Sequence, residues 1–246
     1  HVYYAASTFG SNTSCIGQAT RASLTSGSWA DQGSVICSNV GHNGDNWNAI
    51  DPNLVFDKKG NAFLVFGSFW DGIKMVRLTK DLLHPAESLS FIPTIASRKK
   101  KSSNANPPAI DNNPKDAGGN AIEAPFVFKK NSWYYLFASI DYCCKGEQST
   151  YKVIAGRSKN VKGPYLDKEG KELRTGGGTI VAQGNKNWYG VGHNAAYTFD
   201  GRDYIIYHGY DARDKGRSKL IIKEITWDKD GWPEKLRKLK LSQKLH

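Results

Sequence analysis

One pattern recurs three times along the chain and constrains the fold more than any other feature. Residues 50–69, 122–141 and 192–211 each contain two apolar runs separated by a short polar turn. The copies begin about 70 residues apart, which predicts a repeat architecture. The start of each copy carries a side chain able to do acid–base chemistry. These side chains are Asp51, Glu123 and His193.

The apolar runs are typical of β-strands, because β-branched and aromatic residues dominate them and partly alternate with polar ones. In the second copy we expect strands at 124–129, 133–140 and 151–158. Outer strands, which are weaker in pattern, are expected at 34–37 and 178–182. No segment sustains helical periodicity over ten residues. The sequence therefore predicts an all-β protein built from repeated four-stranded sheets.

Four antiparallel strands in a repeat of this length are typical of a β-propeller blade. A β-sandwich is the alternative, but it does not explain the return of one polar residue at the same position of each copy. The chain opens with HVYYAASTFG, which resembles the second run of a further copy. We therefore expect a single propeller domain over 1–246, with roughly three and a half four-stranded blades and an incomplete N-terminal side.

The segment 97–120 departs from the repeat. It is rich in Lys, Ser, Asn, Pro and Gly, residues that favour loops over strands. Its length is typical of a functional rim or a flap. We expect a long surface loop inserted into the domain.

The net charge of +11 raises the question of a nucleic-acid partner. The Lys and Arg residues are spread over loops, with clusters at 98–101 and 235–244 that match no RNA or DNA motif. Solvated basic loops explain the charge, with weak attraction to an acidic polysaccharide as a further effect. No apolar run approaches the roughly 18 residues of a membrane helix. We expect neither nucleic acid nor membrane as a partner.

The four cysteines lack the spacing of metal ligands. Cys15 and Cys37 are able to form a disulfide if the chain is secreted, and the adjacent Cys143 and Cys144 are able to close a small ring that stiffens a loop. The alternative is that all four are reduced and packed. The sequence leaves both states open.

The propeller interpretation predicts that Asp51, Glu123 and His193 face one central cavity, because equivalent positions of successive blades surround the axis. Taken singly, each is more often a turn residue or a solvated one. Two carboxyl groups across an aromatic-lined cavity suit glycoside hydrolysis, in which one group donates a proton while another stays ionised.

Several motifs together resemble one family, the endo-1,5-α-L-arabinanases of glycoside hydrolase family 43. The resemblance covers nearly the whole chain. It is carried by YYAASTFGSNTSCIGQATR, NAIDPNLVFD, SFWDGI, AIEAPFVF, DYCCKGEQSTYKV and GHNAAYTFDGRDYIIYHGYDA.

This resemblance implies a five-bladed propeller that hydrolyses internal α-1,5-L-arabinofuranosyl linkages of arabinan, a side chain of pectin, with inversion. Glu123 matches the general acid that protonates the departing oxygen. Asp51 matches the carboxylate that raises the pKa of this acid and orients it. His193 matches a residue that helps to hold a calcium-centred water cluster. Four residues lie in motifs that border the sugar subsites: Asn48, Phe69, Trp70 and Thr150.

The resemblance further implies a secreted enzyme that is a monomer at full length. Its partner is arabinan or an arabino-oligosaccharide, its metal is calcium, and it needs no organic cofactor. In the family, the general base that activates water is an Asp of the first blade. No Asp of this chain lies in that motif, since neither Asp45 nor Asp71 is expected at the start of an inner strand.

Three explanations of the missing base stay open at this point. The chain is a fragment, a second chain supplies the missing blades, or a shortened propeller binds arabinan without cutting it. The last of these is the alternative function, a non-catalytic arabinan-binding module.

Overall fold

The structure is a computed structural model that describes residues 1–38, 47–98 and 120–239. These residues form fifteen β-strands and two single-turn 3-10 helices, Gly146–Gln148 and Leu173–Thr175. No helix in this part of the chain is long and apolar enough to cross a membrane. The prediction of an all-β protein is confirmed.

The strands are numbered in chain order. They are β1 (Val2–Ser7), β2 (Ser14–Thr20), β3 (Ala30–Ser38), β4 (Asn53–Phe56), β5 (Ala62–Phe66), β6 (Ile73–Arg77), β7 (Thr94–Ala96), β8 (Ile122–Lys130), β9 (Trp133–Ile140), β10 (Lys152–Ser158), β11 (Thr179–Ala182), β12 (Trp188–Phe199), β13 (Arg202–Asp211), β14 (Arg217–Trp227) and β15 (Pro233–Lys238).

Strands that follow one another along the chain are neighbours in four sheets. One sheet has three strands, β1–β3, and the other three have four strands each: β4–β7, β8–β11 and β12–β15. The strand pairs of the first, second and fourth sheets in chain order are antiparallel. Each copy of the sequence repeat thus begins a four-stranded sheet, as its apolar runs predict.

The inner strands of these sheets follow the apolar pattern closely, whereas the outer ones do not. The strand expected at 133–140 is β9, with the same bounds. The outer strand expected at 34–37 is longer, because β3 also includes the exposed residues Ala30–Gly33. Ala30 and Asp31 pair with β2 through the backbone, so this part of the strand needs no apolar side chains.

The chain divides into two compact units. Unit 1 comprises His1–Ala138 and Ala155–Thr179, and unit 2 comprises Ser139–Ile154 and Ile180–His246. The unit 1 core includes Ile16, Trp47 and Phe66, and the Trp47 and Phe66 rings meet edge to face with centroids 5.5 Å apart. The unit 2 core includes fully or almost fully buried apolar side chains, among them Val191 and Ile205. The interpretation of 1–246 as a single propeller domain stays a prediction.

The predicted surface loop 97–120 lies mostly outside the described residues, but its two ends are described. The Asn120 side-chain oxygen accepts hydrogen bonds from the Ser97 hydroxyl at 3.2 Å and from the Arg98 amide at 2.7 Å. The Ser97 amide also donates to the carbonyl of Leu173 at 2.9 Å. The first and last residues of the segment are therefore held together inside unit 1.

Both cysteine pairs are disulfide-bonded. Cys15 and Cys37 occupy directly paired positions on β2 and β3, so their bridge joins neighbouring strands. Cys143 and Cys144 form a bridge between adjacent residues in the loop after β9. The structure thereby selects one of the two cysteine states that the sequence left open.

Candidate active site

The carboxylate of Asp51 is hydrogen-bonded to Ala124, the residue that follows Glu123. Asp51 lies just before β4 and is half-buried. Its Oδ2 accepts a hydrogen bond from the backbone amide of Ala124 at 2.9 Å, across 73 positions of sequence. The structure therefore brings the starts of the first two repeat copies together within unit 1, as the repeat predicts.

Glu123 is the second residue of β8 and is also half-buried. Its Oε2 accepts a hydrogen bond from the hydroxyl of Ser68 at 2.8 Å. Ser68 itself is buried, with 4% of its surface exposed. A buried donor fixes the position of one carboxyl oxygen and so orients the side chain.

The loop after β5 holds both strand entrances in place. The amide of Gly67 donates to the carbonyl of Ile50, which precedes Asp51, at 2.9 Å. The amide of Phe69 donates to the carbonyl of Ile122, which precedes Glu123, also at 2.9 Å. Ser68 lies between these two contacts, so the same short segment positions both carboxylates.

This segment requires unusual backbone geometry. Phe69 and Trp70 have φ of 55° and 39°, in the left-handed region that residues other than glycine rarely adopt. Asp51 and Ala124 have φ of 56° and 51°. Such residues cost about 1–3 kcal/mol each and cluster at functional sites, where the surrounding structure holds them in place.

Gly67 supplies the space that this arrangement needs. Its φ is 123°, and a Cβ there would meet the carbonyl oxygen of Gly72 at 2.5 Å. No other residue fits without moving the backbone.

Three predicted sugar-contacting residues lie in unit 1 near these contacts along the chain. Phe69 is half-buried, whereas Asn48 and Trp70 are each only 4% exposed. The Asn48 side-chain oxygen and the Trp70 indole nitrogen are buried without a hydrogen-bond partner in the described ranges 1–38, 47–98 and 120–239. Their roles toward sugar stay predictions.

His193, the third repeat residue, lies in unit 2 inside β12. Its φ is 53°, and the register of β12 against β13 shifts between Gly192 and Ala195. Its backbone amide donates to the hydroxyl of Ser139 at 2.8 Å, and its side chain is exposed. A bulge of this kind redirects a side chain at the point where the ladder is interrupted.

A second histidine lies beside it. His208 on β13 has its ring centroid 6.5 Å from that of His193 and 5.8 Å from that of Tyr151, on which it stacks. Its Nε2 is 3.1 Å from the hydroxyl of Tyr210. Burial lowers the pKa of His208 below its ordinary value, and the neighbouring His193 lowers it further. His208 is therefore held in its neutral form at pH values where an exposed imidazole begins to protonate.

Thr150, the fourth predicted sugar contact, is exposed in unit 2. Its amide donates to the carbonyl of Tyr142 at 2.9 Å, and its hydroxyl accepts from the Tyr142 amide at 3.2 Å. Within the same loop the Cys144 amide donates to the Tyr210 hydroxyl at 2.7 Å. These contacts pin the loop that carries the adjacent disulfide. The role of Thr150 toward sugar stays a prediction.

Calcium takes about six to eight oxygen ligands. Within the described ranges, no group of three or more His, Cys, Asp or Glu side chains is placed to hold a metal. His193 offers nitrogen, and Asn194 offers a buried amide oxygen that has no hydrogen-bond partner among the described residues. These two residues do not make a calcium site by themselves.

Three residues of these contacts were not predicted from the sequence: Ser68, Ser139 and His208. A signal for the two serines existed, because they occupy one repeat position, two residues after Phe66 and Phe137 in FGSF and FASI. The same position in the third copy is Gly209. His208 had no such signal, since it lies one residue earlier in the repeat, where the other copies have small residues.

Comparison with known proteins gives one family. The family described as "Glycosyl hydrolases family 43" matches residues 1–233. An extracellular exo-α-(1→5)-L-arabinofuranosidase of Cellvibrio japonicus is 43% identical over 238 residues, which cover 95% of this chain and 65% of the relative. An extracellular endo-α-(1→5)-L-arabinanase of Bacillus subtilis is 45% identical over 232 residues, which cover 94% and 64%. The chain thus spans slightly less than two thirds of these relatives.

Solved structures agree with the sequence comparison. An exo-1,5-α-L-arabinanase from a bovine ruminal metagenomic library superposes with a TM-score of 0.84 at 46% identity, covering 96% of this chain and 72% of that one. A Cellvibrio cellulosa α-L-arabinanase in complex with arabinohexaose superposes with a TM-score of 0.84 at 43% identity, covering 94% and 71%.

Proposed function

Because the chain belongs to glycosyl hydrolase family 43, we propose that its protein hydrolyses α-1,5-L-arabinofuranosyl linkages in arabinan. The observation that carries the proposal is the placement of Asp51 and Glu123 at two strand entrances that one short loop holds together. The relatives act in both endo and exo modes by their names. We propose endo action, on internal linkages, from the motifs of the sequence.

In this proposal Glu123 is the general acid. Ser68 holds the carboxyl group through Oε2, and Glu123 delivers the proton to the departing glycosidic oxygen. Asp51 is the other carboxylate of the proposal and orients this acid, with its own Oδ2 held by the Ala124 amide. In an inverting mechanism a second carboxylate activates water on the opposite face of the sugar. We assign that base to no residue of this chain.

The fold proposed for the complete protein is a five-bladed β-propeller. Its support is the succession of one three-stranded and three four-stranded sheets. In this arrangement Asn48, Phe69, Trp70 and Thr150 border the sugar subsites. Calcium, held by His193 through water, is part of the proposal. We propose no organic cofactor.

Secretion of a monomeric enzyme completes the proposal. Its support is the two disulfides, which persist in oxidising compartments, and the extracellular relatives.

The test measures reducing ends released from linear 1,5-α-arabinan by two proteins. One is the 246-residue chain, and the other is this chain joined to the part of a relative that it does not cover. We expect hydrolysis by at least the longer protein, with products of inverted anomeric configuration by NMR. Glu123→Gln should lower kcat by on the order of 10²–10⁴-fold, as loss of a general acid does.

Glu169→Gln is the matched control, because Glu169 is exposed on a turn of unit 1. It should leave the rate unchanged. If both proteins bind arabino-oligosaccharide and neither releases reducing ends, the protein is a binding module and the proposal is wrong. A fall in viscosity ahead of the rise in reducing ends would support endo action, and the reverse order would contradict it.

A further inference from the structure

Unit 1 contains a basic cavity that the proposed chemistry does not use. Its volume is about 510 Å³. It lies between the turn that joins β4 to β5 and the loop after β10. Five cationic side chains line it: Lys58, Lys59, Arg77, Lys159 and Lys162.

The carboxylates near the cavity neutralise only part of this charge. Asp57 lines the cavity, but its oxygens accept from the Lys59 amide at 2.8 Å, the Asn61 amide at 2.9 Å and the Asn61 side chain at 2.8 Å. These bonds close the turn. Glu87 pairs with Arg77 at 3.2 Å and with Lys162 at 3.6 Å.

Unlike Arg77 and Lys162, the two lysines of the turn between β4 and β5 have no ion-paired carboxylate among the described residues. Neither Lys58 nor Lys59 forms an ion pair with an acidic side chain of the described residues. The cavity is therefore left with an excess of positive charge.

One of the residues that line the cavity is a tyrosine with a buried hydroxyl. Tyr134 also lines the cavity, and it is 1% exposed. Its hydroxyl oxygen has no hydrogen-bond partner among residues 1–38, 47–98 and 120–239. Burying an unpaired hydroxyl costs about 1–3 kcal/mol, so such groups usually serve a partner.

The aromatic residue next to this cavity argues against a nucleic acid. Single-stranded nucleic acids stack their bases on exposed aromatic rings. The Trp133 ring already has the Arg157 guanidinium 4.3 Å and the Lys159 ammonium 3.7 Å from its centroid. The Lys159 ammonium also contacts the Ser132 hydroxyl at 2.5 Å. The cations are thus held in place over the ring, where bases would otherwise stack.

We propose that this cavity binds the carboxylate groups of an acidic polysaccharide, a chain that carries uronate residues. Arabinan is neutral, so these cations do not serve it. A glycanase whose neutral substrate is attached to an acidic polymer gains local concentration by binding that polymer away from its active site. The choice of a polysaccharide as occupant rests on the proposed function, whereas the anionic character of the ligand does not.

The test measures binding of the 246-residue chain to a galacturonate oligomer by calorimetry at low and high salt. Binding should weaken steeply with salt, because the contacts are exposed ion pairs. Lys159→Gln with Lys162→Gln should raise Kd about tenfold. The matched control is Lys235→Gln with Lys238→Gln, which removes equal charge from exposed positions of β15. It should leave Kd within about twofold.

Three outcomes would overturn the inference: no binding, equal weakening in the control pair, or equal affinity for a single-stranded RNA. Equal weakening would mean attraction by net charge alone. Hydrolysis of neutral arabinan should be the same in the active protein with and without the Lys159 and Lys162 substitutions. Failure of the unsubstituted protein to hydrolyse arabinan contradicts the proposed function. Binding of the galacturonate oligomer is a separate measurement, so its failure contradicts only the inference about the cavity.

Discussion

The carboxylate region of unit 1 and the histidine region of unit 2 use the same repeat position differently. Ser68 donates to the carboxylate of Glu123, so its hydroxyl fixes a side chain. At the equivalent position, the Ser139 hydroxyl accepts a hydrogen bond from the backbone amide of His193. It therefore fixes the backbone at a bulge. Both serines are buried. The repeat determines where the hydroxyl lies, and the residue opposite it determines what the hydroxyl does.

The largest effect that separates the two regions should come from Asp51→Asn. The substitution removes the negative charge and keeps a side-chain oxygen able to accept from Ala124. We expect kcat on arabinan to fall about 10²–10³-fold, because the acid loses its electrostatic partner. Asp200→Asn at the exposed β12–β13 turn is the control and should keep full activity. A similar loss in both variants would show that Asp51 acts through general stability.

Ser68→Ala should have the next largest effect on rate. Loss of the hydroxyl leaves Glu123 without its 2.8 Å donor and misplaces the acid. We expect kcat to fall about tenfold and KM to stay within about twofold, since a positioning contact acts mainly in the transition state. Ser68→Thr retains a hydroxyl and should recover part of the rate. An unchanged kcat in Ser68→Ala would contradict the positioning role.

Ser139→Ala sharpens the comparison from the other side. It leaves the His193 amide without its acceptor, which should cost about 1–3 kcal/mol of unfolding free energy. For a chain of this size about 1 kcal/mol corresponds to roughly 2–4 °C in Tm. Thermal melts of Ser139→Ala and Ser68→Ala, run side by side, check this. If both variants lose kcat and unfolding free energy equally, the two serines have the same role and the comparison is wrong.

Calcium provides a smaller test of the histidine region. If calcium binds near His193, millimolar calcium should raise Tm by roughly 2–4 °C, and His193→Ala should abolish this rise. Magnesium is the control cation, because it prefers a smaller octahedral site. An equal rise in His193→Ala would place the ion elsewhere.

The smallest expected effect is the pH dependence that His208 contributes. Its folded-state pKa lies below the unfolded value of about 6.5, so the unfolded chain binds its proton first as pH falls. Its contribution to stability is complete above pH about 6.5 and is lost as pH falls through the folded-state pKa. His208→Gln should flatten the denaturation free energy against pH in that window. An unchanged slope would assign the acid sensitivity to other groups.

The sequence was sufficient for the fold class and for the pairing of Asp51 with the start of the second repeat copy. Both follow from apolar runs and equivalent positions, which are local properties of the chain. The stacking of Tyr151 on His208 was not predictable, because it depends on close approach in space. A Cβ at Gly192 would collide with the Tyr151 ring, and no sequence pattern indicates that contact. The basic cavity was not predictable from the sequence for the same reason, because its lysines come from two loops that are distant along the chain.

The central claim, that Asp51 acts through Glu123, is tested most directly by a double-mutant cycle on kcat/KM for linear arabinan. The variants are Asp51→Asn, Glu123→Gln and the combination, measured in the active protein. If Asp51 works by tuning the acid, the combined variant should be no slower than Glu123→Gln alone. If the two losses multiply, Asp51 has an independent role and the account of a tuned acid is wrong.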